Sequence, residues 1–189
     1  MYRKMMLGGM MVAMVLCVGC GGAEGMTVEE KRMNTLSMEE ETLARFVAQE
    51  PLVRGKVAKA AGYGVFSNSN VNVILISAGG GHGVVTDNAT GQKTYKRMGL
   101  AGVGLGLGAK DYRVLLIFRK KETLDKFIDS GWEFGGHADA AATSGEKGGE
   151  ASSQGAIGDI EAYSMTEAGL ALQATVAGTK YWKDDDLNE

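Results

Sequence analysis

The sequence predicts an α+β fold: an antiparallel β-sandwich or partly closed barrel, with N-terminal helices and one helix after a central hairpin. Three observations predict it. Glycine occurs 29 times and proline once in 189 residues, a usage that fits a tightly packed β-rich chain better than a helix bundle. Residues 98–118 read MGLAGVGLGLGAKDYRVLLIF, in which Gly102, Gly104, Gly106 and Gly108 alternate with Val103, Leu105 and Leu107. Period two is strand spacing, with one apolar face and one face bare enough for close backbone approach. Helical spacing of apolar residues is confined to short stretches before and after this centre.

The chain opens like an export signal. Arg3 and Lys4 form a positive n-region, and Met5 to Val18 is an apolar stretch too short to span a bilayer comfortably. It ends in Leu16-Cys17-Val18-Gly19-Cys20-Gly21, and small Gly19 before Cys20 resembles a lipobox, in which the cysteine is diacylated and becomes the mature N-terminus. The alternative is an ordinary secretory signal cleaved near Gly22 or Ala23. By the bacterial sorting rule that the lipobox resemblance implies, Gly21 in place of Asp directs the protein to the outer membrane, facing the periplasm. Both cysteines, Cys17 and Cys20, fall in this segment, so the exported domain is expected to carry no disulfide and no thiolate metal site. Without residues 1–20, 18 basic and 23 acidic residues leave a net charge of −5. That is no nucleic-acid footprint, and any attraction to anionic surfaces must come from a local patch.

Residues 21–36 are small, polar and charged, and read as a flexible tether; residues 37–189 then form the domain. Ser37 is placed to cap a first helix, with Glu39 to Glu41 in its first turn and Leu43, Phe46 and Val47 on its apolar stripe. Pro51 opens a second helix. Gly62–Phe66 reads as a short strand, Ser67-Asn68-Ser69-Asn70 as a turn, and Val71–Ala78 as the next strand. Asp87-Asn88-Ala89-Thr90-Gly91 is a hairpin turn, and Gln92–Arg97 leads back toward the centre. Within the central stretch, Ala109-Lys110-Asp111 is the turn candidate, and Val114 to Phe118 a buried strand. A phosphate-cradling glycine loop would require a helix directly after the glycines, and here more strand follows. Lys121–Asp129 is a helix with Leu124, Phe127 and Ile128 on one face. Trp132–Ala138 reads as strand, residues 144–155 as a glycine- and serine-rich loop, and 157–164 with 169–176 as a final hairpin. The tail with Asp184-Asp185-Asp186 is expected to be solvated.

The order of these pieces resembles the SYLF lipid-binding domain family. The matching stretches are AKAAGYGVF ending at Phe66, GGGHGVV at 79–85, AGVGLGLGAKDYRVLLIF at 101–118, GWEFGGHADAAATSG at 131–145, and DIEAYSMTEAGLALQATVAG at 159–178. The resemblance covers about residues 37–186. It implies a lipid-binding domain, associated in eukaryotic members with phosphoinositide membranes and actin, and in bacterial members often with a lipoprotein of the cell envelope.

Few residues suggest chemistry. His82 and His137 are the two histidines; Asp139 shares a strand face with His137, but no third ligand is identifiable, so no metal and no cofactor is expected. Ser144-Gly145-Glu146-Lys147 fits the Ser-x-x-Lys pattern of penicillin-recognising enzymes, yet it lies in a glycine loop rather than a helix, and Lys-Thr-Gly is absent. Arg119, Lys120 and Lys121 are the candidate lipid- and anion-binding residues. Cations at a helix start oppose its dipole, and a phosphate there meets both the cations and free N–H groups. The expected function is therefore a non-enzymatic protein anchored through Cys20, whose domain contacts a phospholipid membrane or another amphiphile. The alternatives are a periplasmic serine hydrolase using the Ser144 loop and an envelope scaffold binding other proteins.

Overall fold

The computed structural model describes residues 25–74, 76–102, 106–134, 154–166, 169–170 and 179–189. Cys20 with the whole export segment, Gly104, His137, Asp139, the Ser144–Lys147 pattern and residues 171–176 of the expected final hairpin lie outside the described residues.

The first helix, α1, spans Val28–Gln49 and begins ten residues before the expected start after a Ser37 cap. Its cap is Thr27, whose hydroxyl accepts from the Glu30 N–H at 3.2 Å while the Glu30 carboxylate accepts from the Thr27 N–H at 2.7 Å. This reciprocal box satisfies two of the free donors at the helix start. Residues 28–36 of the expected tether are therefore helix. The second helix, α2, spans Leu52–Lys59 directly after Pro51, as the sequence predicts.

Among the described residues nine strands form one antiparallel sheet: β1 (Gly62–Ile74), β2 (Ile76–Asp87), β3 (Lys93–Gly102), β4 (Gly106–Phe118), β5 (Trp132–Phe134), β6 (Gln154–Ile157), β7 (Ile160–Thr166), β8 (Gly169–Leu170) and β9 (Thr179–Lys183). A third helix, α3 (Lys121–Ser130), follows β4 as expected. Across the sheet the order is β5-β9-β3-β2-β1-β4-β7-β6, with β8 also on β7. Of the two architectures expected, the single sheet takes the partly closed one. β3 and β4, consecutive in the chain, are separated in the sheet by β2 and β1. The spatial order β3-β2-β1-β4 is the Greek-key arrangement.

Several expectations are corrected. Ser67 to Asn70 are not a turn: they pair with His82 to Gly79 in the middle of a 13-residue strand. Val71–Ala78 accordingly straddles the reversal between β1 and β2 instead of forming one strand. Ala109-Lys110-Asp111 lie within β4, paired with Val71, Asn70 and Ser69. The central stretch is also not a hairpin, since β3 pairs with β2 and β9 while β4 pairs with β1 and β7. Polar serines and asparagines read as a turn when only part of a strand is covered by helices. A period-two glycine run continues unchanged through a connection that joins two non-adjacent strands. The stretch 157–164 is divided at Gly158-Asp159, where Gly158 takes φ +59° and joins β6 to β7. The β7–β8 reversal agrees with the expected final hairpin. The tail is solvated only in part: Asp185 and Asp186 are exposed, but β9 enters the sheet, Leu187 is buried, and Asp184 is buried against Arg97 at 2.8 Å.

At Val114 to Phe118 both faces of the sheet are covered, which explains the unbroken apolar run of β4 there. Leu116 and Phe118 face α3, packing with Phe66, Val85, Met98, Tyr181, Leu124 and Phe127. The rings of Phe66 and Tyr181 lie 4.7 Å apart and tilted by 66°, an edge-on contact. Leu115 and Ile117 face the other way, onto Phe46 of α1 and Val53 and Val57 of α2, together with Val65, Tyr163 and Met165.

Candidate functional site

Helix α1 runs across the strands, with Val28 and Leu36 over Val84 and Tyr95 at one end and Phe46 over Tyr163 at the other. The chain reverses at Pro51, and α2 returns beside it. Between the helices and the sheet lies a groove of about 780 Å³, lined by Leu36, Leu43, Ala44, Val47, Val57 and Tyr63 among others. That volume lies within the usual range for a small-molecule pocket. Ala48 and Ala58 extend the apolar lining, and short side chains on both helices keep it open.

The floor at the β3 end is polar and internally satisfied. Glu39, buried, accepts from Thr86 Oγ1 at 2.8 Å and from Lys93 Nζ at 2.6 Å, and Lys93 also reaches Thr86 at 3.1 Å. Burial and the nearby Glu39 carboxylate push the Tyr63 hydroxyl above its ordinary pKa. The rim carries Arg54, exposed and without an acidic partner among the described residues, and Glu40. On the far side of α2, Lys56 donates to Glu161 and to the Tyr163 hydroxyl, each at 2.8 Å, fastening the helix to β7. Asn88 of the β2–β3 turn donates to the Val57 and Ala60 carbonyls at 2.7 and 2.9 Å, which closes the end of α2. The groove is thus apolar along its walls, charged at its rim and rigidly supported.

Arg119, Lys120 and Lys121 lie together at the start of α3, half to two-thirds exposed, at the place the sequence gives them. Each has an acid. Lys120 pairs with Asp159 at 3.1 Å and Arg119 approaches the same carboxylate at 4.0 Å. Lys121 pairs with Asp87 at 3.4 Å and with Asp125. Three cations therefore face three carboxylates, and the local charge is balanced. These three do not line the apolar groove; Lys121 borders a separate polar hollow of about 680 Å³ with Arg32, Asp87, Asp125 and Lys183. Among the described residues no three His, Cys, Asp or Glu side chains gather as a metal site, and no helix is long and apolar enough to cross a membrane.

The groove itself was not legible in the sequence. Its signal was the small-residue spacing of Ala44 and Ala48 in α1 and Ala58 in α2, which reads equally as ordinary helix packing.

Residues 99–189 match the family model described as "Ysc84: Las17-binding protein actin regulator". A curated protein of Aeromonas veronii, "Beta cell expansion factor A", is 32% identical over 163 residues, covering 86% of this chain. The chain belongs to the Ysc84/SYLF family. It spans 61% of the length of the Aeromonas protein, so the SYLF domain here corresponds to part of that relative. The match to the family model begins inside β3 and excludes β1 and β2, the two strands at the middle of the sheet.

Proposed function

We propose that this SYLF protein is a non-enzymatic, membrane-tethered domain that holds a phospholipid acyl chain in the groove between α1, α2 and the sheet. The observation that carries the proposal is the groove: aliphatic walls from Leu36, Leu43, Val47 and Val57, with Arg54 unpaired at the rim to meet an anionic head group. Family membership supports a lipid ligand in the same direction, as an association rather than a mechanism. Diacylation at Cys20 would attach the domain to the periplasmic side of the outer membrane, and two chains on one residue suffice for stable anchoring. A basic contact by Arg119, Lys120 and Lys121 with anionic head groups would be secondary, because Asp87, Asp125 and Asp159 already neutralise them.

The test fills the groove. Ala44 and Ala48 line it and are exposed, so Ala44→Trp and Ala48→Trp block it without disturbing the core. Each should weaken binding of a fluorescent fatty-acid probe at least tenfold with the melting temperature unchanged. Mass spectrometry of the purified chain should find phospholipid on the wild type and far less on the blocked variants. Wild-type affinity in both variants would refute the groove as the site.

A further inference from the structure

The sheet face that carries α1 is wider than the helix. Next to the buried row Leu115, Val65, Val84 and Tyr95, the register aligns Arg113 on β4, Ser67 on β1, His82 on β2, Arg97 on β3 and Trp182 on β9. All five point to the α1 side, on the flank of α1 away from the groove, and neighbouring positions are about 5 Å apart. His82, Arg97 and Trp182 are exposed and Arg113 and Ser67 half-buried.

The charges in this row are unevenly matched. Arg97 is held by Asp184 at 2.8 Å and by Asp186 at 3.3 Å. Asp111, one row further out, accepts from Ser69 at 2.5 Å. Arg113 donates from Nη1 to Ser67 Oγ at 2.7 Å, and among the described residues no carboxylate pairs with it. A half-buried guanidinium satisfied only by a neutral hydroxyl keeps most of its five donors free. Ser67, having accepted from Arg113, still has its own proton to give. Partial desolvation and then Arg113 hold the His82 imidazole below its ordinary pKa, with Asp184 opposing, and in either protonation state the ring carries an N–H to donate. Trp182 lies across Gly99, where an added Cβ would be 3.2 Å from the indole, and closes the row.

We propose that Arg113, Ser67 and His82 form a binding site for a phosphate group on the α1 face of the sheet, beside the helix. Donors from three adjacent strands suit a group with several oxygens around one centre, and the unpaired guanidinium supplies the charge. This site is separate from the acyl-chain groove, and blocking variants of the groove leave it intact.

The experiment follows the two aromatic reporters in the full chain, held in neutral detergent. In a His137→Gln background, the His82 ring is titrated by NMR with and without inorganic phosphate at matched ionic strength. Phosphate should raise the His82 titration midpoint, since an anion alongside stabilises the imidazolium. Arg113→Gln should weaken phosphate at least tenfold, and Arg113→Lys should restore part of the binding. Ser67→Ala, which keeps the guanidinium, should weaken it several-fold and serves if Arg113→Gln melts early. In a Trp132→Phe background, Trp182 fluorescence is then read with vesicles of phosphatidylcholine alone or with added phosphatidylglycerol. A response to phosphatidylglycerol vesicles but not to inorganic phosphate assigns the phosphate to a lipid head group; a response to both assigns a site open to free phosphate. No response of His82 or Trp182 to either, or an equal response in a folded Arg113→Gln protein, overturns the site.

Discussion

Lys96 provides the sharpest energetic test of the packing. It sits in β3 on the face toward α3, 1% exposed, with Nζ donating to the Ile128 carbonyl at 2.8 Å and lying 5.2 Å from the centre of the Phe127 ring. Burial, reinforced by Lys183 and opposed by Asp129, pushes its pKa down to about 8. Its value in the unfolded chain is about 10.4. Because the folded value is the lower one, the unfolded chain holds more of this proton between about pH 8 and 10.5, and stability contributed here rises through that window. Below it, the buried charge costs roughly 3 kcal/mol. Lys96→Met removes the charge but leaves the Ile128 carbonyl without its donor, a loss of about 1–3 kcal/mol at every pH. The two effects nearly offset at pH 7, so the informative quantity is the change with pH. Between pH 7 and pH 10 the wild type should gain about 2 kcal/mol relative to Lys96→Met. Ionisation of the tyrosines is common to both proteins and cancels in the comparison. Urea unfolding of both proteins at the two pH values measures it. A stability difference that is the same at pH 7 and pH 10, within about 0.5 kcal/mol, would refute a buried charged lysine.

Cys20→Ser should release the protein from the membrane fraction into the soluble periplasm; retention in the membrane at high salt would show that Cys20 is not the anchor. Changing Arg119, Lys120 and Lys121 together to Gln should reduce co-sedimentation with phosphatidylglycerol vesicles by less than tenfold, whereas three unpaired cations would give about a hundredfold at ~1 kcal/mol each. Gly83→Ala should cost several kcal/mol in thermal unfolding, because the new methyl meets the Val65 carbonyl and the Phe66 ring. Gly55→Ala meets nothing within 4 Å in exposed α2 and should stabilise by up to about 1 kcal/mol, which calibrates the same assay.

The sequence makes the elements more legible than their partners. Pro51, the Asp87–Gly91 turn and the amphipathic spacing of α3 carry local rules, and each element stands where those rules put it. The start of α1 was missed although Thr27 and Glu30 spell a capping box, because glycines and charges just before it read as coil. Pairing is not local. Nothing in the residues around Ser67 says that His82 and Arg113 flank it, and nothing in Lys96 says that α3 closes over it. The basic cluster at 119–121 was visible as a charge run, while its neutralisation by Asp87 and Asp159 depends on turns that the fold brings alongside. The groove depends on how α1 and α2 cross the sheet, which no single stretch encodes.

The place of β9 has a consequence for when the molecule can assemble. It is made after β1 to β8, yet it lies between β3 and β5, bonded to both. Lys96 meets Lys183 across a separation of 87 residues, and Tyr181 joins the aromatic cluster with Phe66 and Phe127. Until Thr179–Lys183 has been synthesised, β3 and β5 each lack, among the described residues, the strand that joins them, and α3 lacks one of the rings against which it packs. Contacts so distant along the chain form slowly, since a large loop must close before they reward it. The nascent chain should therefore have a period of exposed strand edge and incomplete core, during which chaperone binding or premature self-association is favoured.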